Sequence, residues 1–292
     1  MLNAPAARGA DSMQKTLRKI AKLPLTAAMR LPFIRKRAAH HFRMDYYPDL
    51  EVSIPLGNGL WCPVLDRNSI HSFGEIFVER EYGEALDAIP PPRRWVDLGC
   101  HAGYFSLYLA WRLAGAGAAD GAARDWRALL VDADPRMEPL ARGALDMNGF
   151  SRNYTFRAGL VSKGAGEREF ALRDGMTSST DVQANGANAV RKIPVLTPGE
   201  MLAAFPPPYD LIKVDIEGGE ADFVECYKDV YTQSAAILME WHSKDAKGAA
   251  AGPLRAGLEA AGFAFAGEVR AMRVHHLDIG PVSSGVQLYR RA

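Results

Sequence analysis

The sequence predicts an α/β protein: a mostly parallel sheet covered by helices on both faces. From about residue 93, apolar runs such as "RWVDLG", "RALLVDAD", "DLIKVDI" and "AAILMEWH" alternate with stretches of helical spacing. Strands buried on both faces read as continuous apolar runs, and strand–helix alternation yields parallel pairing. The last two candidate strands, "FAFAGEV" and "SGVQLYRR", have no helix between them, so the final strand is expected to run antiparallel.

In chain order, "EVSIPL" and "LWCPVL" flank a "GNG" turn and predict a hairpin. "HSFGEIFVEREYGEAL" has helical spacing and ends before the prolines of "IPPPRR", which forbid continuation. "RWVDLG" is a strand, "YFSLYLAWRLA" a helix and "RALLVDAD" a second strand. "PRMEPLARGALDMNG" is a helix with Pro135 in its first turn. "NYTFRAGLV" and the shorter "EREFALRD" read as strands. "DLIKVDI" is a strand, "GGEADFVECYKDVY" a helix, "AAILMEWH" a strand and "GPLRAGLEAAG" the last helix before the closing pair. The small-residue stretch 114–125 is a loop. Three units follow: a basic arm over 1–45, a hairpin and helix over 46–92 packing on the core, and the main domain over 93–292.

At 292 residues with 48% apolar and 24% charged content, the composition is that of a soluble globular chain. The three cysteines, Cys62, Cys100 and Cys226, are far apart, an odd number with no CxxC pair. They read as reduced thiols of a cytoplasmic protein. No apolar run approaches the roughly 20 residues of a membrane span. The net charge of +1 conceals an asymmetry: residues 1–45 hold ten Lys/Arg against two Asp, and the remainder is acidic by seven. The arm interleaves Leu, Ile, Met and Phe with its cations. It suits either a membrane-peripheral contact with anionic lipid or a helix packed on the domain, although Pro24 and Pro32 interrupt a long amphipathic helix.

"WVDLGCHAGYF" carries the first chemical signal. A buried strand enters Gly99 and Gly103 and a helix follows. Gly99 makes the tight turn, Gly103 lets backbone approach a ligand, and the amides near His101 offer hydrogen bonds. Asp97 is placed to meet a positive group. A dinucleotide fingerprint needs glycines at 99, 101 and 104, but the chain has His101 and Tyr104. The pattern suits a nucleoside bearing a cation, such as S-adenosylmethionine. Asp132, at the end of "LLVDADP", is placed to accept from ribose hydroxyls.

"VDLGCHAGYFS", "VDADP", "DLIKVDIEGGE" and "ILMEWH" together resemble the FkbM-type S-adenosylmethionine-dependent methyltransferases over roughly residues 70–245. The resemblance implies a Rossmann-like seven-stranded sheet and O-methylation of a hydroxyl on a sugar, glycolipid or natural-product-like small molecule. His101 stands where that family more often has Asn.

Within "DLIKVDIEGGE", strand alternation puts Lys213 and Asp215 on one side and Ile212 and Val214 on the other. Asp215 and Glu217 leave the sheet beside the cofactor's sulfonium end. Glu220 falls in the first helical turn and Asp210 at the opposite end of the sheet, both as structural acids. Glu240 and His242 share a face of the next strand. His242 is the preferred general base, its ordinary pKa near 6.5 suiting neutral pH; a hydrogen-bonded structural histidine is the alternative. Glu217 is the rival base, and Lys213 either holds the acceptor oxygen or neutralises Asp215. Asp215, Glu240 and His242 offer donors for a divalent ion, but no compact ligand spacing demands one, and none is expected. Asn148, Ser179–Asp181, His275 and His276 are weaker cleft candidates; Trp61, Phe73 and Tyr82 are either an acceptor wall or core. An enzyme acting on nucleic acid through the arm and a non-catalytic cofactor-binding module are the alternatives. The acidic main domain and the missing N/D-P-P-Y/F/W element count against nucleic acid.

Overall fold

The computed structural model describes Arg37, His40 and residues 51–65, 67–115, 124–172, 189–277 and 280–292. The arm over 1–45 therefore lies outside the described residues except at Arg37 and His40, as do Ser179–Asp181. Among the described residues, no helix is long and apolar enough to cross a membrane.

The chain opens with the antiparallel hairpin β1 (Val52–Gly57) and β2 (Leu60–Val64). The single helix expected next is instead three pieces: α1 (Arg67–Phe73), a π-helical segment (Gly74–Glu79) and α2 (Gly83–Asp87). Arg80 in the left-handed conformation, φ 58°, makes the break. Apolar spacing alone does not register such a reversal.

The main sheet has seven strands: β3 (Arg94–Leu98), β4 (Arg127–Asp132), β5 (Tyr154–Ala158), β8 (Leu211–Val214), β9 (Ala236–Ser243), β10 (Phe263–Leu277) and β11 (Gly280–Arg291). Their order is β10-β11-β9-β8-β3-β4-β5. Strands β5, β4, β3, β8 and β9 run parallel, and β11 enters antiparallel between β9 and β10. The chain winds outward from β3 to β5 and then returns to β8 on the other side. The order reverses between β3 and β8, and open α/β sheets bind ligands at the carboxyl ends of strands at that point. Residues 167–194 hold a separate hairpin of β6 (Glu167–Leu172) and β7 (Ala189–Pro194). The "EREFALRD" strand is thus real but lies outside the main sheet.

Helices α3 (Tyr104–Gly115) and α4 (Met137–Asp146) pack with the first hairpin on one face, against Trp95, Leu130, Leu211 and Leu238. The other face, with Val96, Val131, Ile212, Val214 and Met239, is covered by α5 (Pro198–Ala204), α6 (Glu220–Cys226), α7 (Lys228–Tyr231) and α8 (Ala251–Ala260). Two-residue alternation on β8 therefore divides Leu211 from Ile212, as expected, and sends Lys213 to the first face. Helix α5 starts with a reciprocal capping box between Thr197 and Glu200, which "TPGE" encodes openly.

Candidate active site

The site is built where β3 and β8 end. Gly99, φ 69°, sits so close to β8 that a Cβ would lie 1.6 Å from the Asp215 carbonyl oxygen. No side chain fits there, so this glycine is demanded by the meeting of two backbones. Gly103, φ 72°, corrects the sequence expectation of approach to a ligand. Its Cβ would press on Ala141 of α4 at 3.2 Å, and it lines neither cavity. Asp97 is a second correction. It is fully buried beneath the turn, accepts a hydrogen bond from Ser106 Oγ at 2.8 Å and lies 3.7 Å from Lys213 Nζ. It does meet a positive group, but that group belongs to this chain and not to a cofactor.

Two cavities open on this edge. The first is lined by His101, Asp132, Met137, Leu160, Phe170 and Ile216, among others. Asp132 ends β4 with one oxygen accepting from the His101 amide and the other from the Asp134 amide, both at 2.8 Å. Each oxygen keeps a lone pair for a further donor. Burial pushes this carboxyl up to about 6, against the pull of the two amides. The second cavity is lined by Glu75, Glu81, Tyr82, Glu240, His242 and Arg270, with others. Four residues face both spaces: Gly99, His101, Asp215 and Glu217. Two of them, His101 (φ 47°) and Glu217 (φ 53°), are non-glycine residues in the left-handed region. That conformation costs roughly 1–2 kcal/mol per residue and concentrates where a fold is shaped for function.

The charges form a connected network. Lys213 Nζ donates to the Gly99 carbonyl at 2.9 Å and pairs with Asp215 at 3.1 Å. With Asp97 3.7 Å behind it, the ammonium stands between two carboxylates and neutralises Asp215. His242 Nδ1 lies 3.0 Å from Glu220 Oε1, while Nε2 stands 3.7 Å from both Glu217 and Glu240. Arg270 bridges Glu81 and Glu240. Asp215, Glu240 and His242 bring one donor atom each within 4.8 Å of one another. Each is already engaged, with Lys213, Arg270 and Glu220 respectively.

Crowded acids and withheld water set the protonation. Burial, helped by Asp215, raises Glu240 to about 8. Burial also raises Glu217 to about 7, despite the pull of His242. At Asp215 burial works upward too, but Lys213 and His242 outweigh it and hold the carboxyl below its usual range. Burial opposes charge on His242, yet Glu217, Glu220 and Glu240 together lift it well above the ordinary histidine value. The expectation of an unperturbed imidazole is therefore corrected: three carboxylates favour imidazolium.

Glu75 has no ion-pairing partner among the described residues, and burial together with Glu81 raises it to about 7. A folded pKa above the unfolded one contributes stability below pH 4.5 that is lost as pH rises through 7. Glu75→Gln should therefore stabilise the protein at pH 8.5 by on the order of 1–3 kcal/mol, and much less at pH 5. Thermal unfolding at the two pH values measures this; an equal shift at both would be inconsistent with a strained carboxylate.

Of the weaker candidates, His275 lines the second cavity from β10, and Tyr82 lines it while buried. His276 lies in β10, but its side chain is outside the described residues. Asn148 clamps the backbone of Trp61 on both sides and is structural. Phe73 is core, and Trp61 is exposed. Asp210 binds the amides of Arg93 and Arg94 at the far end of the sheet, in keeping with its structural assignment. Sequence reasoning missed Glu75, Glu81 and Arg270. Arg270 lies one residue beyond the "FAFAGEV" run, and extending that strand would have reached it. The two acids sit in the broken helix, where no periodic signal places them.

No family model matches the chain, and no curated protein matches it. Solved structures are similar only distantly. An O-methyltransferase from Bacillus cereus in complex with SAH has 13% identity and a TM-score of 0.41, over 73% of this chain and 80% of that one. A precorrin-6y C5,15-methyltransferase from Geobacter metallireducens has 11% identity and a TM-score of 0.38, over 68% and 80%. A precorrin 8W decarboxylase from Methanobacterium thermoautotrophicum has 17% identity and a TM-score of 0.41, over 74% and 90%. Likenesses this distant carry nothing about activity; the Rossmann-like fold stands on its own strand order.

Proposed function

We propose that this chain is an S-adenosylmethionine-dependent O-methyltransferase acting on a hydroxyl of a polar small molecule, of the sugar, glycolipid or natural-product-like kind. The observation that carries this is the junction of the two cavities. A nucleoside in the first cavity and an alcohol in the second meet across Asp215 and Glu217 at the switch point of the sheet. The FkbM-type motifs, which lie on that junction, support the same reading. The charged lining of the second cavity favours a polar acceptor over a flat aromatic one.

The first cavity fits the cofactor: Asp132 keeps acceptor capacity for ribose hydroxyls, and Asp215 offers negative charge at the junction. When bound, S-adenosylmethionine supplies an electrophilic methyl group. The chain's own residues do the rest. Asp215, held ionised by Lys213, aligns the positive centre. That attraction weakens as the charge is lost, so it positions and does not itself lower the barrier. His242 takes the acceptor's proton, with Glu217 beside it as the rival base, which makes the oxygen nucleophilic. Alignment in a dry junction supplies several kcal/mol more.

Asp132→Ala should weaken S-adenosylmethionine binding by on the order of 1–3 kcal/mol, which isothermal titration calorimetry can read. Unchanged affinity would remove the ribose assignment, and tighter binding of NAD would remove the cofactor assignment. The acceptor is to be sought by labelled methyl incorporation into separated lysate glycans, lipids and small metabolites.

A further inference from the structure

We infer that Glu220 is the positioning residue for His242, holding its Nδ1–H so that Nε2 faces the junction of the cavities. The inference rests on the proposed reaction for its catalytic meaning, but the pairing itself is independent of it.

Glu220 opens α6, where an acid is ordinarily explained by the helix dipole. The dipole alone does not account for its burial: Glu220 is 2% exposed and meets specific partners. Its Oε1 accepts from the Gly218 amide at 3.1 Å and faces His242 Nδ1 at 3.0 Å. A carboxylate buried this deeply needs partners, and it has two. Because an ionised carboxylate only accepts, the proton between Glu220 and His242 sits on Nδ1. When the ring is neutral, Nε2 then carries the lone pair. Nε2 lies 3.7 Å from Glu217 Oε2 and from Glu240 Oε1, too far for good hydrogen bonds. The lone pair therefore has room to meet an incoming hydroxyl.

In the transfer step the acceptor O–H bond breaks and its proton goes to Nε2. The oxygen would then bond to the methyl carbon that a bound S-adenosylmethionine supplies, and the S–C electron pair would stay with sulfur as a neutral thioether. The resulting imidazolium is stabilised by Glu220 on one side and by Glu217 and Glu240 on the other. Among the described residues, the other charged groups lining this cavity are Asp215 at the end of β8, with Lys213 behind it, Arg270 of β10, which pairs with Glu240 and Glu81, and Glu75. Arg273 and His275 also line this cavity from β10. Among the described residues only Glu220 lies within hydrogen-bond distance of Nδ1, so it sets the tautomer.

The test is nitrogen-15 NMR of the His242 ring in the full chain, its signals assigned by their loss in His242→Asn. Glu220→Gln keeps the shape and an acceptor for Gly218; Glu220→Ala removes both. In the wild type the neutral ring should be the Nδ1–H tautomer. Its titration midpoint should move to lower pH in Glu220→Gln, and Glu220→Ala should shift the ring toward Nε2–H. In the lysate fraction that the wild type methylates, Glu220→Gln should lower kcat about 10- to 100-fold, part of what a positioned base supplies, with KM unchanged. An Nε2–H wild-type ring, or an unmoved midpoint with only a fall in Tm, overturns the inference. A moved midpoint in a protein that methylates no fraction leaves the pairing standing and overturns the proposed reaction instead.

Discussion

Replacing Lys213 by methionine should destabilise the fold by about 3–5 kcal/mol, the cost of leaving a buried ion pair with one partner. Lys213 stands between Asp97, which has no exposure, and Asp215. Methionine fills a similar volume but neutralises neither acid. Asp97 Oδ1 already lacks a hydrogen bond in the intact structure and depends on the ammonium 3.7 Å away. Without it, burial favours the protonated acid. Burial already raises the Asp97 pKa against the pull of Lys213, and losing that cation raises it further. A raised folded pKa gives stability that is present at low pH and lost as pH climbs. The deficit of Lys213→Met should therefore be small near pH 4 and grow toward pH 8. Adding Asp97→Asn should recover part of it at pH 8 and little at pH 4. Chemical denaturation of the four proteins at both pH values measures the cycle; a deficit independent of pH would mean that lost packing, not charge, is what methionine fails to replace.

The same cluster shows what the sequence could convey. Strand β8 was legible because its alternation is strict: Ile212 and Val214 bury on one face, and Lys213 with Asp215 comes out on the other. The antiparallel last strand was legible from the missing helix. What could not be read was distance across the sheet. Asp97 and Lys213 lie 116 positions apart in the sequence, and they meet because β3 and β8 pair in register. The glycine pattern showed that room was needed but not for what. Only the structure reveals that Gly99 gives way to a backbone carbonyl and Gly103 to a neighbouring helix. Glu220 looked like a helix-terminal acid because local spacing cannot reveal that β9 brings His242 against it. The second cavity was least legible, since its acids Glu75 and Glu81 flank a left-handed break at Arg80 that no apolar period announces.

His242→Asn should lower turnover by about 10² to 10⁴-fold, the usual contribution of a positioned base, while S-adenosylmethionine affinity stays within about twofold. Asparagine is the informative replacement because its amide can still donate to Glu220, so the buried carboxylate is not stranded. The pH profile carries the sharper distinction. In the wild type, Glu217 at about 7 and His242 well above its ordinary value titrate as neighbours 3.7 Å apart, each shifting the other. Turnover should rise with pH as that pair loses its proton. Removing the imidazolium takes positive charge away from Glu217, which His242 now pulls downward; its carboxyl then titrates higher, and the acid limb of the residual activity should move to higher pH. Glu217→Gln should act oppositely, because losing a neighbouring carboxylate removes one cause of the raised His242 pKa and shifts the limb to lower pH. Single-turnover rates across pH 6–10 in both variants separate the roles. Full activity in His242→Asn with none in Glu217→Gln would make the glutamate the proton acceptor and the histidine its counter-charge.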